Sequence, residues 1–260
     1  MKISILGARG SVPTNGKDML EFGGSTSCVL VETEDHAIFL DAGTGILHSP
    51  DVGKKPISIL ITHPHFDHIM GLPFFPYNGE KGRKINIYGK KRDGLSVKDQ
   101  LQRLISPPLW PCTLAEYKAD YEIHDTDFPF TIGNITVDAM ESEHPGGSLI
   151  YRLSDGKKIF VYATDFEYGE EKGRELIGFA KDADLMLIDS QYTDDEISTR
   201  KGFGHSTVRS GQVIIKEANI KITRFVHHDP RHKDEMLKEM ENGVKSDTVA
   251  FAREGEVIVL

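Results

Sequence analysis

Short runs dominated by β-branched and apolar residues recur along the chain and stop at glycine, proline or an acidic residue. They lie at 2–7 (KISILG), 27–33, 37–43, 58–65, 84–89, 135–140, 148–153, 158–165, 185–192, 223–228 and 256–260. Runs of this length and bias predict β-strands. The early ones succeed one another through turns, and the later ones are separated by stretches of helical period. Ser206 is placed to cap a helix through Glu217, and 232–242 (HKDEMLKEMEN) has the pattern of a charged amphipathic helix ending at Gly243. This order predicts helices packed outside two sheets, an α/β layered domain. Apolar residues are spread evenly over the 260 positions, so one large core and a single domain over 1–260 are expected. No solenoid repeat, low-complexity tract or linker interrupts the pattern.

One region breaks the alternation. From Leu104 to Asp127 the chain carries Pro107-Pro108, Trp110-Pro111 and several aromatics. A stiff apolar segment of this kind is either the wall of a site or a surface excursion pinned to the core by Trp110.

Composition narrows function more than fold. With 31 Lys+Arg against 40 Asp+Glu the formal charge is −9, a field that repels long polyanions and weighs against long nucleic acid as a partner. The opening apolar run halts at Gly7, short of a signal-peptide core, and no run approaches the ~20 apolar residues that span a bilayer. A cytoplasmic protein without a membrane partner is expected. Cys28 and Cys112 are too few for a disulfide framework and too far apart for a thiolate cluster, and both are expected as buried free thiols.

The chemistry begins where the run after Pro56 ends. His63-Pro64-His65-Phe66-Asp67-His68 places four candidate ligands in six positions. Pro64 bars continued sheet pairing, and in the turn beyond it the side chains of His63, His65, Asp67 and His68 can converge. Imidazole and carboxylate suit zinc, manganese or iron, and two histidines one residue apart suit a single ion on extended backbone. Asp67 and His68 are left for a second ion. Buried without a cation, such a cluster leaves donors and charges unpaired. His36, His48, His124 and His232 lack such company.

Other strand ends supply more ligands. His144 comes after 135–143, Asp165 closes the run at 158, and His227 and His228 end the run at 223. Together these make a set for two divalent ions with one carboxylate free to bridge.

The pattern His63-x-His65-x-Asp67-His68, then His144, Asp165 and a late histidine, closely resembles the metallo-β-lactamase superfamily over nearly the whole chain. The resemblance implies a four-layer αββα sandwich with metals at one edge between the sheets. It implies that His63, His65 and His144 hold one ion, that Asp67, His68 and a late histidine hold the other, and that Asp165 bridges. The segment from Gly204 to Pro230 is similar to the ribonuclease Z and phosphodiesterase branch, in which the late ligand matches His227 and leaves His228 a supporting place. The same branch gives His205, in Gly204-His205-Ser206-Thr207, contact with the scissile phosphate or protonation of its leaving oxygen, with Asp189 supporting it. Asp41, in LDAGTG, matches an aspartate that orients a ligand imidazole. Asp67 is expected to orient the attacking hydroxide as well as bind metal.

Ribonuclease Z enzymes carry a tRNA-gripping arm between the positions of His144 and Asp165. Here 21 positions separate the two, room for one hairpin. Together with the acidic charge, this favours a small-molecule phosphodiester, such as a cyclic nucleotide or nucleotide-like ester, cleaved by hydroxide formed between two divalent ions, with zinc expected and manganese or iron as alternatives. A thioester or lactam hydrolase would use the same ligands but leaves Gly-His-Ser-Thr unexplained. An oxygen-reducing diiron relative would carry glutamate at position 65, which is histidine. A non-catalytic metal-dependent binding module is the third class, and a homodimer is compatible with the sequence.

Overall fold

The computed structural model describes residues 1–260. Fourteen strands form two seven-stranded sheets. The first contains β1 (Lys2–Gly7), β2 (Cys28–Glu32), β3 (Ala37–Leu40), β4 (Ile57–Leu60), β5 (Lys84–Gly89), β6 (Asp120–Asp125) and, on its other edge beside β1, β14 (Val257–Val259). The second runs in sequence order from β7 (Phe130–Ile132) and β8 (Ile135–Ser142) through β9 (Ser148–Ser154), β10 (Ile159–Ala163), β11 (Leu185–Asp189) and β12 (Ile222–Val226) to β13 (Val249–Phe251). Each sheet begins antiparallel and ends parallel, with β3 to β6 parallel in one and β10 to β13 in the other. The C-terminal ends of successive strands therefore share an edge, where open α/β sheets bind ligands.

Alternation along the strands sorts side chains into three cores. Val29, Val31, Ile38 and Leu40 of the first sheet meet Leu153, Phe160, Tyr162, Leu185 and Leu187 of the second. On the outer face of the first sheet, Leu30, Phe39, Ile57, Ile59, Ile85 and Ile87 are covered by Ile69 of the short α1 (Phe66–Ile69), by Leu101 of α2 (Val97–Gln102), and by the turns between them. On the outer face of the second, Val161, Met186, Ile188 and Phe225 pack with Leu176 of α3 (Glu170–Phe179), Ile214 of α4 (Val208–Glu217) and Leu237 of α5 (Asp234–Asn242). This is the four-layer αββα sandwich, each half-buried face gaining a partner layer. No helix is long and apolar enough to cross a membrane.

Several boundaries differ from the sequence reading. The run at 58–65 leaves its sheet at Leu60, because the Thr62 amide donates to the Asp41 carboxylate at 2.8 Å instead of a neighbouring strand. The runs at 37–43, 158–165 and 223–228 also stop early. Asp41, Asp165 and His227 adopt left-handed backbone there, with φ of 60°, 53° and 63°. That conformation is uncommon outside glycine and clusters at functional sites. The cap of α4 is Thr207, whose side chain accepts from the Ser210 amide, whereas the Ser206 hydroxyl donates to the Phe166 carbonyl. Strands β6, β7 and β13 lacked a clean pattern: β6 alternates only between exposed and half-buried positions, and the other two have three residues each. Cys28 is buried as expected, whereas Cys112 is only partly covered.

Candidate metal centre

The loop from Thr62 to Ile69 leaves β4 extended and turns into α1, so His63 and His65 precede the helix while Asp67 and His68 sit within its single turn. Phe66 points outward and is 54% exposed, consistent with a spacer between ligands. The second sheet delivers one side chain per strand end: His144 after β8, Asp165 after β10, Asp189 at the end of β11 and His227 after β12. Gly204 lets the next segment approach closely. Its φ is +87°, and a Cβ there would lie 2.0 Å from His144 Nδ1.

All seven residues expected as ligands converge. Asp165 lies at the middle: its Oδ1 is 3.7 Å from His63 Nε2, 3.8 Å from His144 Nε2 and 3.4 Å from His227 Nε2, and its Oδ2 is 3.1 Å from His68 Nε2. Asp67 Oδ2 is 3.3 Å from His68 Nε2 and 3.2 Å from His227 Nε2. His65 Nδ1 and His144 Nε2 are 3.1 Å apart. The donors fall into triads within ion-binding reach, among them His63, His65 and His144, and Asp67, His68 and His227, with Asp165 beside both. A divalent ion fits this set. His63 Nε2 is buried and finds no hydrogen-bond partner in the protein, and His68 Nε2 faces the Asp165 and Asp67 carboxylates without hydrogen-bond geometry to either, a cost a cation would remove.

Supporting contacts fix the rings. His68 Nδ1 lies 2.7 Å from Asp41 Oδ2, as the aspartate of the first strand-end motif suggested. Asp41 also accepts from the Thr62 amide at 2.8 Å, the Thr62 hydroxyl at 3.0 Å and Tyr162 Oη at 3.3 Å. His144 Nδ1 faces the Gly204 carbonyl at 3.1 Å, and His227 Nδ1 faces Gln191 Oε1 at 2.9 Å. The Ser11 amide donates to Asp67 Oδ2 at 2.7 Å. Thr62, Gln191 and Ser11 escaped sequence reasoning. Thr62 abuts the motif and Gln191 lies two residues past Asp189, but neither type advertises a role without its partner in view.

Electrostatics match a cation nest. Burial opposes charge on His68, yet Asp165, Asp67 and Asp41 raise it well above the ordinary imidazole value. His227 is likewise opposed by burial and pulled up to about 9, chiefly by Asp165 and Asp67. Burial would raise Asp67 and Asp165, but His68 and His227 hold both carboxylates well below their usual range. Burial pushes His63 well down and His144 down to about 4, so both offer neutral lone pairs. Buried carboxylates balanced by two imidazolium charges form a balance that divalent ions would take over.

His205 Nδ1 lies 2.8 Å from Asp189 Oδ2, and its ring stacks on His227 with centroids 4.7 Å apart. Asp189 also accepts from the Ser206 amide at 2.8 Å and the Asp165 amide at 3.2 Å, tying His205 to the shared carboxylate. His228 is turned away. Its Nε2 lies 2.9 Å from the Ala252 carbonyl and its ring packs against Phe22 and Phe251, so its side chain does not take the supporting place expected of it. Successive side chains at a strand end point apart, and His227 has the inward place. The segment from Leu104 to Asp127 combines features of the two alternatives. Trp110 anchors it by packing edge-on against Phe74, and donates from Nε1 at 2.9 Å to Tyr117 Oη, which in turn donates to the Pro73 carbonyl at 3.1 Å, while Leu104 and Leu109 line a cavity beside His63 and His65.

Two facing mixed sheets with helices outside and a histidine and carboxylate nest at their shared edge define a metallo-β-lactamase-fold protein of metallohydrolase type. The chain belongs to the β-lactamase superfamily: the family model described as "Beta-lactamase superfamily domain" matches residues 36–228, which contain every residue of the cluster. Membership implies divalent metal ions. The chain is 26% identical over 253 positions to a probable metallo-hydrolase, YhfI, of Bacillus subtilis, covering 90% of this chain and 92% of the relative. The crystal structure of YhfI superposes with a TM-score of 0.76 over 99% of both chains at 22% identity. Ribonuclease Z of Ligilactobacillus salivarius is 26% identical over 297 positions, covering 94% of this chain and 92% of the relative. Human tRNase Z, short form, superposes with a TM-score of 0.73 at 19% identity over 100% of this chain and 99% of the other.

Proposed function

We propose that the whole chain acts as one phosphodiesterase domain that uses two divalent metal ions, with zinc first among candidates and manganese or iron as alternatives, to cleave small phosphodiesters such as cyclic nucleotides or nucleotide-like esters. His63, His65 and His144 would hold one ion, Asp67, His68 and His227 the other, and Asp165 both. When bound, such ions neutralise charge on an attacked phosphoryl group and acidify water. The observation that carries the phosphodiesterase reading is the His205–Asp189 pair, 2.8 Å apart beside the shared carboxylate. Asp189 accepts from Nδ1–H and fixes the ring, and in the doubly protonated ring Nε2–H gives its proton to the leaving alkoxide, which departs as the alcohol and leaves His205 neutral. Asp67, steadied by the Ser11 amide, serves the attacking side.

Substrate size is limited by the chain between His144 and Asp165. Only the β9–β10 hairpin fills that interval. The alignment with ribonuclease Z runs to 297 positions against 260 residues here, so the relative carries segments this chain lacks. With the charge of −9, this supports a small substrate over tRNA.

The test is a panel of bis(p-nitrophenyl) phosphate, a chromogenic thioester and a β-lactam, assayed after chelation and metal restoration. Turnover of the phosphodiester alone is expected, and no phosphodiester turnover with any of the three metals overturns the reading. His205 also lies within ion-binding reach of His144 and Asp165. His205→Ala therefore separates two roles: as proton donor it keeps metal content and lowers kcat by about a hundredfold or more, whereas lost metal would make it a ligand.

A further inference from the structure

The metal centre opens on one side into a cavity of about 400 Å³ whose wall begins with His63 and His65. Phe66 and Ile69 from α1, with Leu104 and Leu109 from the excursion, give it apolar surface. Phe66 is 54% exposed and Leu109 68%, so two large apolar side chains stand open to solvent beside the reaction centre. An occupant with an apolar body would cover them.

Two guanidinium groups interrupt this lining, and they differ. Arg92 is committed: it donates to Glu141 at 3.3 Å and to the Thr62 carbonyl at 3.3 Å, and it packs so tightly on Gly147 that a Cβ there would sit 2.2 Å from Nη1. Arg103, just past the end of α2, is exposed and makes neither an ion pair nor a side-chain hydrogen bond. Gln100 donates its amide to the Lys90 and Leu95 carbonyls, both at 3.0 Å, which keeps α2 and the loop before it in place under Arg103. Asp93 is the lone carboxylate in the lining. A free guanidinium over an apolar pocket recognises a phosphate through paired N–H donors.

Resting on the phosphodiesterase reading above, we propose that this cavity holds one ester substituent of the substrate and that Arg103 reads a second phosphate on it. Preferred substrates then carry a terminal phosphate besides the scissile diester, on a nucleoside-like body that covers Phe66 and Leu109.

The experiment compares the p-nitrophenyl ester of thymidine 5′-phosphate with the same ester bearing a 3′-phosphate, on the metal-loaded full chain. The second is expected to have the higher kcat/KM by about tenfold, through KM, the scale of one charge-assisted contact. Arg103→Ala should bring the ratio toward one, Arg103→Lys should recover part of it, and Asp93→Asn should increase it. A ratio of one in the unaltered protein overturns the proposal. So does an Arg103→Ala variant that lowers both substrates equally, which would mean stacking or a structural role. Failure to cleave either ester counts against the phosphodiesterase reading instead. Calorimetric binding of thymidine 3′,5′-bisphosphate against thymidine 5′-phosphate then tests the cavity alone, with equal affinities, or affinities that Arg103→Ala leaves in the same proportion, overturning it.

Discussion

The two sheets furnish the candidate centre in opposite ways. The first contributes His63, His65, Asp67 and His68 from one loop of six residues after β4, whereas the second contributes His144, Asp165, Asp189 and His227 singly from the ends of β8, β10, β11 and β12. A contiguous loop is locally preorganised, since Pro64 and the single turn of α1 set its geometry. The scattered set exists only because parallel pairing of β10, β11 and β12 brings three strand ends level. The loop is thus robust to distant change but blind to the second half, and the scattered set stands or falls with the fold. Asp165 joins them, within 4 Å of imidazoles from both sheets.

Removing that junction is the strongest way to break the contrast. Asp165→Ala should cost activity more than about a hundredfold, above the range for groups that only support ligands. If the loop is self-sufficient with His144, elemental analysis should still find close to one equivalent of metal. Loss of all metal would mean that the first triad needs the second sheet's carboxylate as much as the second triad does.

A smaller effect is expected at Asp41, which supports the loop from behind. Asp41→Asn keeps the shape but turns one acceptor of the Thr62, His68 and Tyr162 contacts into a donor. Metal affinity, read by competition with a chromophoric chelator, should fall by about 10- to 100-fold. A change under twofold would mean that the loop holds its own rings and that Asp41 serves only the strand end.

The same contrast explains how much of the molecule was legible in the sequence. Ten of the eleven apolar runs stood for strands with small boundary errors, and the run at 58–65 overlapped β4, because buried strands carry their own signal. The loop cluster was visible as a motif, since its chemistry is adjacent in sequence. His144, Asp165 and His227 stood out only as the polar residues at which apolar runs stop. Thr62, Gln191 and the Gly204 carbonyl could not be found, because a hydroxyl, an amide or a backbone oxygen gains its role from a partner that topology delivers. The ends of the strands were overrun for a related reason. Asp41, Asp165 and His227 continue an apolar run in sequence, and only their left-handed backbone removes them from the sheet.

The smallest effect concerns stability in the metal-free protein, where two pairs of histidines, each with one member from the loop and one from the second sheet, pull in opposite directions. Burial lowers His63, and lowers His144 to about 4, so the folded state resists their protonation and loses stability as pH falls below the unfolded value near 6.5. His68 and His227 are raised, His227 to about 9, so their pairing with Asp67 and Asp165 supports the fold fully below about 6.5 and is lost as pH climbs through about 9. Metal-free protein should therefore have its highest Tm near pH 6.5. His227→Gln should flatten the alkaline side of that curve while leaving an acid side that His144→Gln reduces. A metal-free Tm that kept rising from pH 6.5 to 9 would mean that His227 is neutral in the folded protein. The carboxylates would then need another counter-charge, and the cation nest shared by the two sheets would lose its electrostatic basis.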